Sequence, residues 1–327
     1  MSDVLQLVSY RQDGRVRPGV VTDGRLIDLE DALGRDLPAD LGVQGLLPHL
    51  DELLPAVRAA VDAGASADTA ADRGPCDPAD PRLVAPIPAP SKMLFAGANF
   101  LDHIRKDAAA WARSEVAADF EMADGVRPYV FIKLPLCVAG PCAAIERPAG
   151  AGQLDYEVEM AAVIGRPGRY IRADQAMDHI AGFVLVNDVS CRDLNVRTDW
   201  PNLKTDWFSG KNFASAAPMG PYFVPASELG DWRAVRLQLA VNGEVRQDAL
   251  AGAMTFDYGE LIEFVSGNVP LETGDIIAGG TPAGVGFGDG RFLNDGDVVE
   301  ARATYLGAQR SIVVTGGPDT SQAGRQP

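Results

Sequence analysis

The sequence predicts an α+β protein that is mostly β, with its helices at the periphery. Stretches of strand length outnumber the helical patterns, and the two kinds do not alternate as they do in a doubly wound sheet or a β/α barrel. A strong hairpin motif, Asn242-Gly243, separates two of the strand-like stretches. The 327 residues suffice for one large domain or two.

The first 85 residues are predicted to form a small, β-rich accessory domain and a linker. Strand-like stretches at 5–10 and 19–22 are followed by turns at Asp13-Gly14 and Asp23-Gly24. An interrupted helical pattern of leucines and valines covers 40–62. Residues 63–90 are rich in Ala, Asp, Pro and Gly and indicate a linker over the surface.

Residues 86–316 are predicted to form the main domain, and 317–327 a disordered tail. A buried strand at 93–96 precedes a Gly-containing turn and a helix that runs from 101 through 111. Two further helices are expected at 173–179 and 256–265. Strands are expected at 129–133, 154–164, 182–189, 221–224, 235–241, 275–278, 298–304 and 310–314.

Composition argues against several classes of function. Lys plus Arg number 29 and Asp plus Glu 45, so the net charge of −16 would repel nucleic acids and anionic membranes. Membrane-spanning apolar runs and the features of a signal peptide are missing, so a cytoplasmic protein is expected. Four cysteines without zinc spacing and only three histidines indicate that any bound metal would be held by oxygen.

Three acids form a candidate metal site. Glu157 and Glu159 lie two residues apart in a stretch that alternates apolar and acidic residues, so on a strand their side chains share one face, with Cα atoms roughly 6.5 Å apart. Asp188 ends a second apolar strand and would complete an all-oxygen cage for Mg²⁺, with Mn²⁺ or Ca²⁺ as substitutes. The alternative is a half-exposed strand with an acidic outer face.

Three other positions are candidates for catalysis or substrate binding. His103, in the first turn of a helix at a strand's end, is placed as a general base, or is a partly exposed surface histidine. Lys211, between Gly210 and a buried segment, could reach a substrate carbonyl, although most lysines are solvated. Arg192 follows Asp188 by four residues and is either a carboxylate clamp or part of a structural ion pair with Asp193 or Asp188.

The sequence argues against nucleotide binding by the glycine-rich stretch 279–286. It lacks the Gly-Lys-Ser/Thr ending of a P-loop and the spacing of a dinucleotide-binding turn. A tight turn that presents backbone N–H groups and the Thr281 hydroxyl to an anionic ligand is the preferred interpretation.

Taken in order, these motifs resemble the fumarylacetoacetate hydrolase family. The resemblance covers residues 92 to about 306. It is carried by Gly97-Ala98-Asn99-Phe100 with His103, Leu154-Asp155-Tyr156-Glu157-Val158-Glu159, Asn187-Asp188-Val189-Ser190 with Arg192-Asp193, Gly210-Lys211-Asn212-Phe213 with Pro218-Met219-Gly220-Pro221, and Gly279-Gly280-Thr281-Pro282-Ala283-Gly284-Val285-Gly286.

The resemblance implies a mixed β-sandwich roll that forms a homodimer, with the N-terminal hairpins as the accessory domain of longer bacterial members. It implies Mg²⁺ or Mn²⁺ on Glu157, Glu159 and Asp188, and a small anionic dicarbonyl substrate. Four residues match positions that contact substrate in the family: Lys211, Thr281, Arg192 and Asn195.

The sequence departs from the family at three places. Many members have a glutamate three residues after the histidine, where it orients the imidazole for water activation; this chain has Lys106, followed by Asp107. Asn195 stands where glutamine is commoner, and the stretch 198–207 is longer than in the shortest members. Water activation would then fall to His103 alone, to Asp107, or to an acid of segment 107–124 such as Glu115 or Glu121.

The leading hypothesis is a metal-dependent hydrolase that cleaves a C–C bond in a 2,4-dioxo acid (acylpyruvate or fumarylpyruvate type) or a related β-diketone. In it His103 activates water and Lys211 stabilises the oxyanion. A decarboxylase or isomerase (tautomerase) of an oxaloacetate-like or oxo-dienoic acid is the alternative, since it needs no water attack. A catalytically silent metal-binding scaffold is the second alternative.

Overall fold

A computed structural model describes residues 4–37, 41–62, 72–75, 80–111, 122–199 and 202–316. The strands are β1 Gln6–Gln12, β2 Arg15–Thr22, β3 Arg25–Asp28, β4 Asp72–Pro75, β5 Leu83–Val84, β6 Met93–Gly97, β7 Tyr129–Lys133, β8 Val138–Ala139, β9 Ile145–Arg147, β10 Leu154–Asp155, β11 Val158–Ile164, β12 Ile180–Asn187, β13 Ser190–Cys191, β14 Ala217–Pro225, β15 Arg236–Val241, β16 Glu244–Leu250, β17 Ile276–Ala278, β18 Val298–Ala303 and β19 Gly307–Thr315. The helices are α1 Leu29–Leu33, α2 Val43–Leu46, α3 Leu50–Asp62, α4 Leu101–Trp111, α5 Trp207–Lys211, α6 Ala226–Leu229, α7 Tyr258–Asn268 and α8 Gly286–Asp289.

The predominance of strands confirms the predicted fold class, and the predicted hairpin turns are present. At Asn242-Gly243 both residues have positive φ, 52° and 79°, as a type I′ turn requires. Asp13-Gly14 and Asp23-Gly24 make the same kind of turn between β1 and β2 and between β2 and β3. None of the helices in the described part of the chain is long and apolar enough to cross a membrane.

The described strands form three sheets. The largest has the order β4-β3-β2-β1-β14-β12-β11-β17-β6-β7, with β5 paired to β1 and β8 paired to β14. A second sheet has the order β16-β15-β18-β19-β9, and β10 pairs with β13 in a short ribbon. Strand β1 pairs with β14, so the N-terminal strands continue the large sheet of the main domain.

Strand β11 lies in the centre of the molecule and is buried along its whole length. Val158 and Met160 belong to an apolar cluster that includes Leu237 and Val299 of the five-stranded sheet. Residues of the opposite face, such as Ala161, belong to a cluster that contains helix α3 and strands β1, β6 and β7. Because side chains of a strand alternate, β11 packs against a different cluster on each face, and Glu159 shares the face of Ala161.

Three predicted elements differ from the structure. The expected strand 154–164 is interrupted after Asp155, because β10 pairs with β13 whereas β11 pairs with β12. The expected helix at 173–179 is a 3₁₀ helix. Residues 63–90 contain β4 and β5, and the rest of the described part follows no regular element; residues 63–71 and 76–79, like the tail 317–327, lie outside the described residues. The division into domains at residue 85 stays a prediction.

Candidate metal centre and active site

Glu157, the first of the three acids of the candidate metal site, lies in the interruption between β10 and β11. The Glu157 backbone N–H donates to Asn187 Oδ1 at 3.0 Å, and the Glu157 carbonyl accepts from the Asp188 N–H at 2.8 Å. The end of β12 is thus tied to the break in the neighbouring strand. One carboxylate oxygen from each of Glu157, Glu159 and Asp188 lies within 4.8 Å of the other two, and all three residues are buried. The structure brings the three predicted acids together.

Two lysines contact the same carboxylate of this group. Lys133 Nζ lies 2.5 Å from Asp188 Oδ1, and Lys211 Nζ lies 2.6 Å from Asp188 Oδ2. Lys211 also contacts Glu157 Oε2 at 3.1 Å. Both lysine side chains are buried, so neither is the solvated surface lysine that composition alone would suggest.

Arg192 is held by two acids at the edge of the centre. Its Nε donates to Asp155 Oδ2 at 2.8 Å, and its Nη2 contacts Glu157 Oε1. Asp155 is in turn fixed by the backbone N–H groups of Gly286 and Phe287, at 2.6 and 2.9 Å. Arg192 therefore forms a structural ion pair, but with Asp155 and Glu157 and not with the expected Asp193 or Asp188.

Among the described residues, lysine and arginine side chains do not balance the acids of this centre. Four carboxylates, those of Asp155, Glu157, Glu159 and Asp188, face three cations, those of Lys133, Arg192 and Lys211. The odd acid is Glu159, which accepts a hydrogen bond from the Gly280 N–H at 3.0 Å and has no ion pair among the described residues.

The pKa values of the two glutamates reflect this imbalance. Burial raises the pKa of Glu159, and the charges of Asp188 and Glu157 add to the rise, which takes it well above its ordinary value. For Glu157 burial is outweighed by Arg192 and Lys211, and the pKa falls to about 2. Glu159 is thus a buried acid beside two other carboxylates, with no ion-pair partner among the described residues. Three close carboxylates are the donor set that hard divalent cations prefer, so the residues fit Mg²⁺, Mn²⁺ or Ca²⁺.

A cavity of about 140 Å³ opens next to the acids. Its lining combines polar and charged side chains with three aromatic rings, which form an aromatic wall; the lining residues are Ala96, Gly97, Ala98, His103, Tyr129, Phe131, Glu157, Arg192, Trp207, Lys211 and Thr281. The Trp207 ring lies 5.5 Å from Tyr129 and 4.9 Å from Phe131, measured between centroids. Of the predicted site residues outside the acids, four line this cavity: His103, Lys211, Arg192 and Thr281.

His103 reaches the cavity because the start of α4 is anchored. Asn99 donates its side-chain amide to the carbonyls of Gly279 and Phe256, at 2.8 and 2.9 Å, which ties the turn before the helix to the glycine-rich loop. His103 is 5% exposed, so the surface alternative does not apply. Lys106, one turn later, is exposed to solvent.

Thr281 is placed by its backbone turn and by a glutamine. Gly280 has φ of 89°, and a Cβ atom there would lie 3.0 Å from the Ala96 carbonyl oxygen, so glycine is needed. Thr281 Oγ1 donates to the Val158 carbonyl at 2.9 Å and accepts from Gln247 Nε2 at 2.9 Å. The predicted turn therefore lies beside the acids.

Some predicted residues are not brought to the cavity or cannot be placed. Asn195 is half-buried behind Gly210 and does not line the cavity. The side chains of Asp107 and of the acids Glu115 and Glu121 lie outside the described residues. Trp200 and Pro201 of the longer stretch 198–207 are outside them as well, while Trp207 forms part of the aromatic wall.

Lys133 and the aromatic wall were not anticipated from sequence. A signal was nevertheless present in β7, where Phe131 and Lys133 share the buried face and Ile132 points outward. A lysine on the buried face of a strand needs an acid partner, since an unpaired buried charge is costly.

The comparisons with known proteins agree with this fold. The family model of the fumarylacetoacetate (FAA) hydrolase C-terminal domain matches residues 92–314. The oxaloacetate tautomerase YisK of Bacillus subtilis is 37% identical over 230 residues, which cover 69% of this chain and 71% of the relative. The 2,4-didehydro-3-deoxy-L-rhamnonate hydrolase of a Sphingomonas species is 30% identical over 313 residues, which cover 94% and 96%.

A solved structure shows the same likeness over the whole length. The crystal structure of a probable 2-hydroxyhepta-2,4-diene-1,7-dioate isomerase from Mycobacterium abscessus superposes with a TM-score of 0.72 at 29% identity, covering 96% of this chain and all of the other. The relatives of this chain include hydrolases, isomerases and tautomerases. The chain belongs to the fumarylacetoacetate hydrolase family.

Proposed function

We propose that this protein is a divalent-metal-dependent tautomerase that interconverts the keto and enol forms of a short 2-oxo dicarboxylate of the oxaloacetate type. The observation that carries the proposal is the exposed Lys106, where the family places the glutamate that orients the histidine for water attack. Tautomerisation needs a proton carrier and an oxyanion partner, and the cavity holds both in His103 and Lys211. The likeness to oxaloacetate tautomerases supports the same reaction.

Proton transfer is the whole of the proposed chemistry. A divalent cation held by Glu157, Glu159 and Asp188 would act as a Lewis acid on the substrate oxygens. His103 takes a proton from C3, the C3–H bond breaks, and its electron pair forms the C2–C3 double bond. Lys211 donates a hydrogen bond to the C2 oxygen, which gains the negative charge as the C2=O π bond breaks. The protonated His103 then delivers its proton to that oxygen, which completes the enol and restores the neutral imidazole. Arg192 would hold a carboxylate of the substrate.

The size of the cavity supports a short substrate. Ligand pockets for larger molecules typically have about 300–1,000 Å³, whereas this cavity has about 140 Å³. The aromatic wall of Tyr129, Phe131 and Trp207 narrows the same cavity, with the Phe131 ring centroid 4.9 Å from Lys211 Nζ. A four-carbon diacid fits such a space better than a long acylpyruvate.

The test is exchange of the C3 protons of oxaloacetate into D₂O, followed by NMR with Mg²⁺ or Mn²⁺ present. Because each group acts on the transferred proton or the oxyanion, His103→Ala and Lys211→Met should slow exchange by about 10²–10³-fold. His179→Ala is the matched control: this histidine bonds the Arg166 carbonyl outside the cavity, and its loss should leave the rate unchanged. Full exchange activity in His103→Ala would refute the assigned role.

Hydrolysis of a 2,4-dioxo acid is the second candidate. It is favoured by the near full-length likeness to the rhamnonate-derived hydrolase and by the presence of His103 and Lys211 in one cavity. Incubation with an acylpyruvate and analysis of the products distinguishes the two, since only hydrolysis releases pyruvate and a second acid. Release of pyruvate at a rate above that of oxaloacetate exchange would replace the tautomerase assignment. A homodimeric state and a cytoplasmic location stay predictions.

A further inference from the structure

Two lysines share one carboxylate at the centre, and they differ in every other contact. Lys133 Nζ bonds Asp188 Oδ1 and also donates to the Val189 carbonyl at 2.9 Å. Lys211 Nζ bonds Asp188 Oδ2 and Glu157 Oε2. Lys133 is thus tied to the aspartate and to the backbone beside it, whereas Lys211 bridges two of the acids.

The two lysines also face different surroundings. Lys133 has no exposed surface, does not line the cavity, and lies 5.7 Å from the ring centroid of Phe95 in the core. Lys211 lines the cavity and lies 4.9 Å from the ring centroid of Phe131 in the aromatic wall. Only Lys211 can therefore turn toward a ligand without leaving a packed interior.

We propose that Lys133 is the positioning residue that holds Asp188 in place for the metal. Lys211 is the cation that leaves Asp188 and contacts the substrate instead. This inference rests on the proposed metal centre. Lys133 occupies Oδ1 and leaves Oδ2 as the free ligand atom once Lys211 moves. A lysine ammonium and a divalent cation on the same side of one carboxylate repel each other strongly in a buried site, so Lys211 must move when the metal enters.

Removal of each lysine should have a different effect on metal affinity. The measurement is calorimetric titration of the metal-free protein with Mn²⁺. Lys133→Met should bind Mn²⁺ about 10–100-fold more weakly, as is usual when a group that orients a metal ligand is removed. Lys211→Met should bind Mn²⁺ at least as tightly as the wild type, because it removes a competing positive charge, yet lose turnover.

The control is Lys92→Met. Lys92 pairs with the buried Asp275 at 2.7 Å, far from the cavity lining, so its loss also removes a lysine from a buried aspartate. Its Mn²⁺ affinity should equal that of the wild type. Equal affinity in Lys133→Met and wild type would overturn the inference, and so would a loss of affinity in Lys211→Met as large as that in Lys133→Met.

A structure of the wild type loaded with Mn²⁺ and oxalate tests the same inference without a variant that must fold. Lys133 Nζ should remain within hydrogen-bond distance of Asp188, and Lys211 Nζ should have left Asp188 for the oxalate. Retention of both lysines on Asp188 would overturn the exchange. A wild type that binds no Mn²⁺ at all would instead refute the metal centre itself, so the two failures are distinguishable.

Discussion

The chain buries two clusters of acids, and their partners differ. In the N-terminal region Asp28 is fully buried and caps helix α1 through the Asp31 N–H at 2.8 Å. Arg17 donates to its carboxylate from Nε at 2.5 Å and from Nη2 at 2.8 Å, and the Tyr10 hydroxyl donates to the same carboxylate. Every acceptor site of this acid has a donor.

At the metal centre the corresponding acid is Glu159, whose carboxylate has one backbone donor and no cation among the described residues. Burial by itself would raise the pKa of both acids. For Asp28 the bonds to Arg17 and Tyr10 outweigh burial and lower the pKa, whereas for Glu159 the neighbouring acids raise it further. The Asp28 cluster therefore stabilises the fold, whereas the Glu159 cluster lacks a positive charge that a bound cation would supply.

Neutralising each acid should show this difference most strongly. In the metal-free protein, Asp28→Asn should lower the free energy of unfolding by about 3 kcal/mol, because Arg17 loses the most deeply buried of its carboxylate partners, which also include Glu30 and Asp31. Glu159→Gln should cost nothing or stabilise, because burial and two neighbouring acids already disfavour its charge. Urea denaturation in the presence of a chelator measures both. A large loss of stability in Glu159→Gln would contradict the account.

The loss of folding stability at acidic pH should depend on Asp28. Because its pKa in the folded protein is below the ordinary value of 3.8, its contribution is present above pH 3.8 and is lost as the pH falls through the lower, folded value. Denaturation midpoints measured across this range should fall less steeply in Asp28→Asn than in the wild type. An unchanged slope would show that other carboxylates govern acid unfolding.

Arginine-to-lysine substitutions should give the smallest and most selective effects. Arg17 bridges Asp28 and Glu30, and Arg192 bridges Asp155 and Glu157, so each loses a forked contact when lysine replaces it. Arg17→Lys should cost about 1 kcal/mol of stability with unchanged turnover. Arg192→Lys should raise KM about tenfold, the equivalent of one charge-assisted hydrogen bond. Equal effects on KM in both variants would remove the distinction between the clusters.

Local patterns predicted much of the fold. The strand at 129–133 and the helix over 101–111 match β7 and α4, and the Asn242-Gly243 turn is present, because these depend on alternation, helical periodicity and turn chemistry within a few residues. The break after Asp155 could not be predicted, since it arises from which strand each half pairs with. The pairing of β1 with β14 is likewise a long-range choice.

The site was predictable where its residues lie close together in the sequence or on neighbouring strands. Glu157 and Glu159 share a sequence motif at the start of β11, and Asp188 directly follows β12, which pairs with β11, so their proximity follows from one strand pair. Lys133 and Tyr129 come from β7, which reaches the centre only through β6 and β17 in the sheet order. That placement is set by the topology of the sheet, so the second lysine and the aromatic wall had to be found in the structure.

Direct titration with Mn²⁺ tests the central claim, that the unbalanced acids form a divalent-metal centre. One Mn²⁺ should bind per chain in the wild type and in Asp28→Asn at a temperature where that variant is folded, because the Asp28 cluster is complete without a metal. Glu159→Gln should bind none or bind far more weakly, since it removes one of three ligands. Binding of Mn²⁺ by Glu159→Gln with wild-type affinity, or no binding by the wild type, would contradict the account.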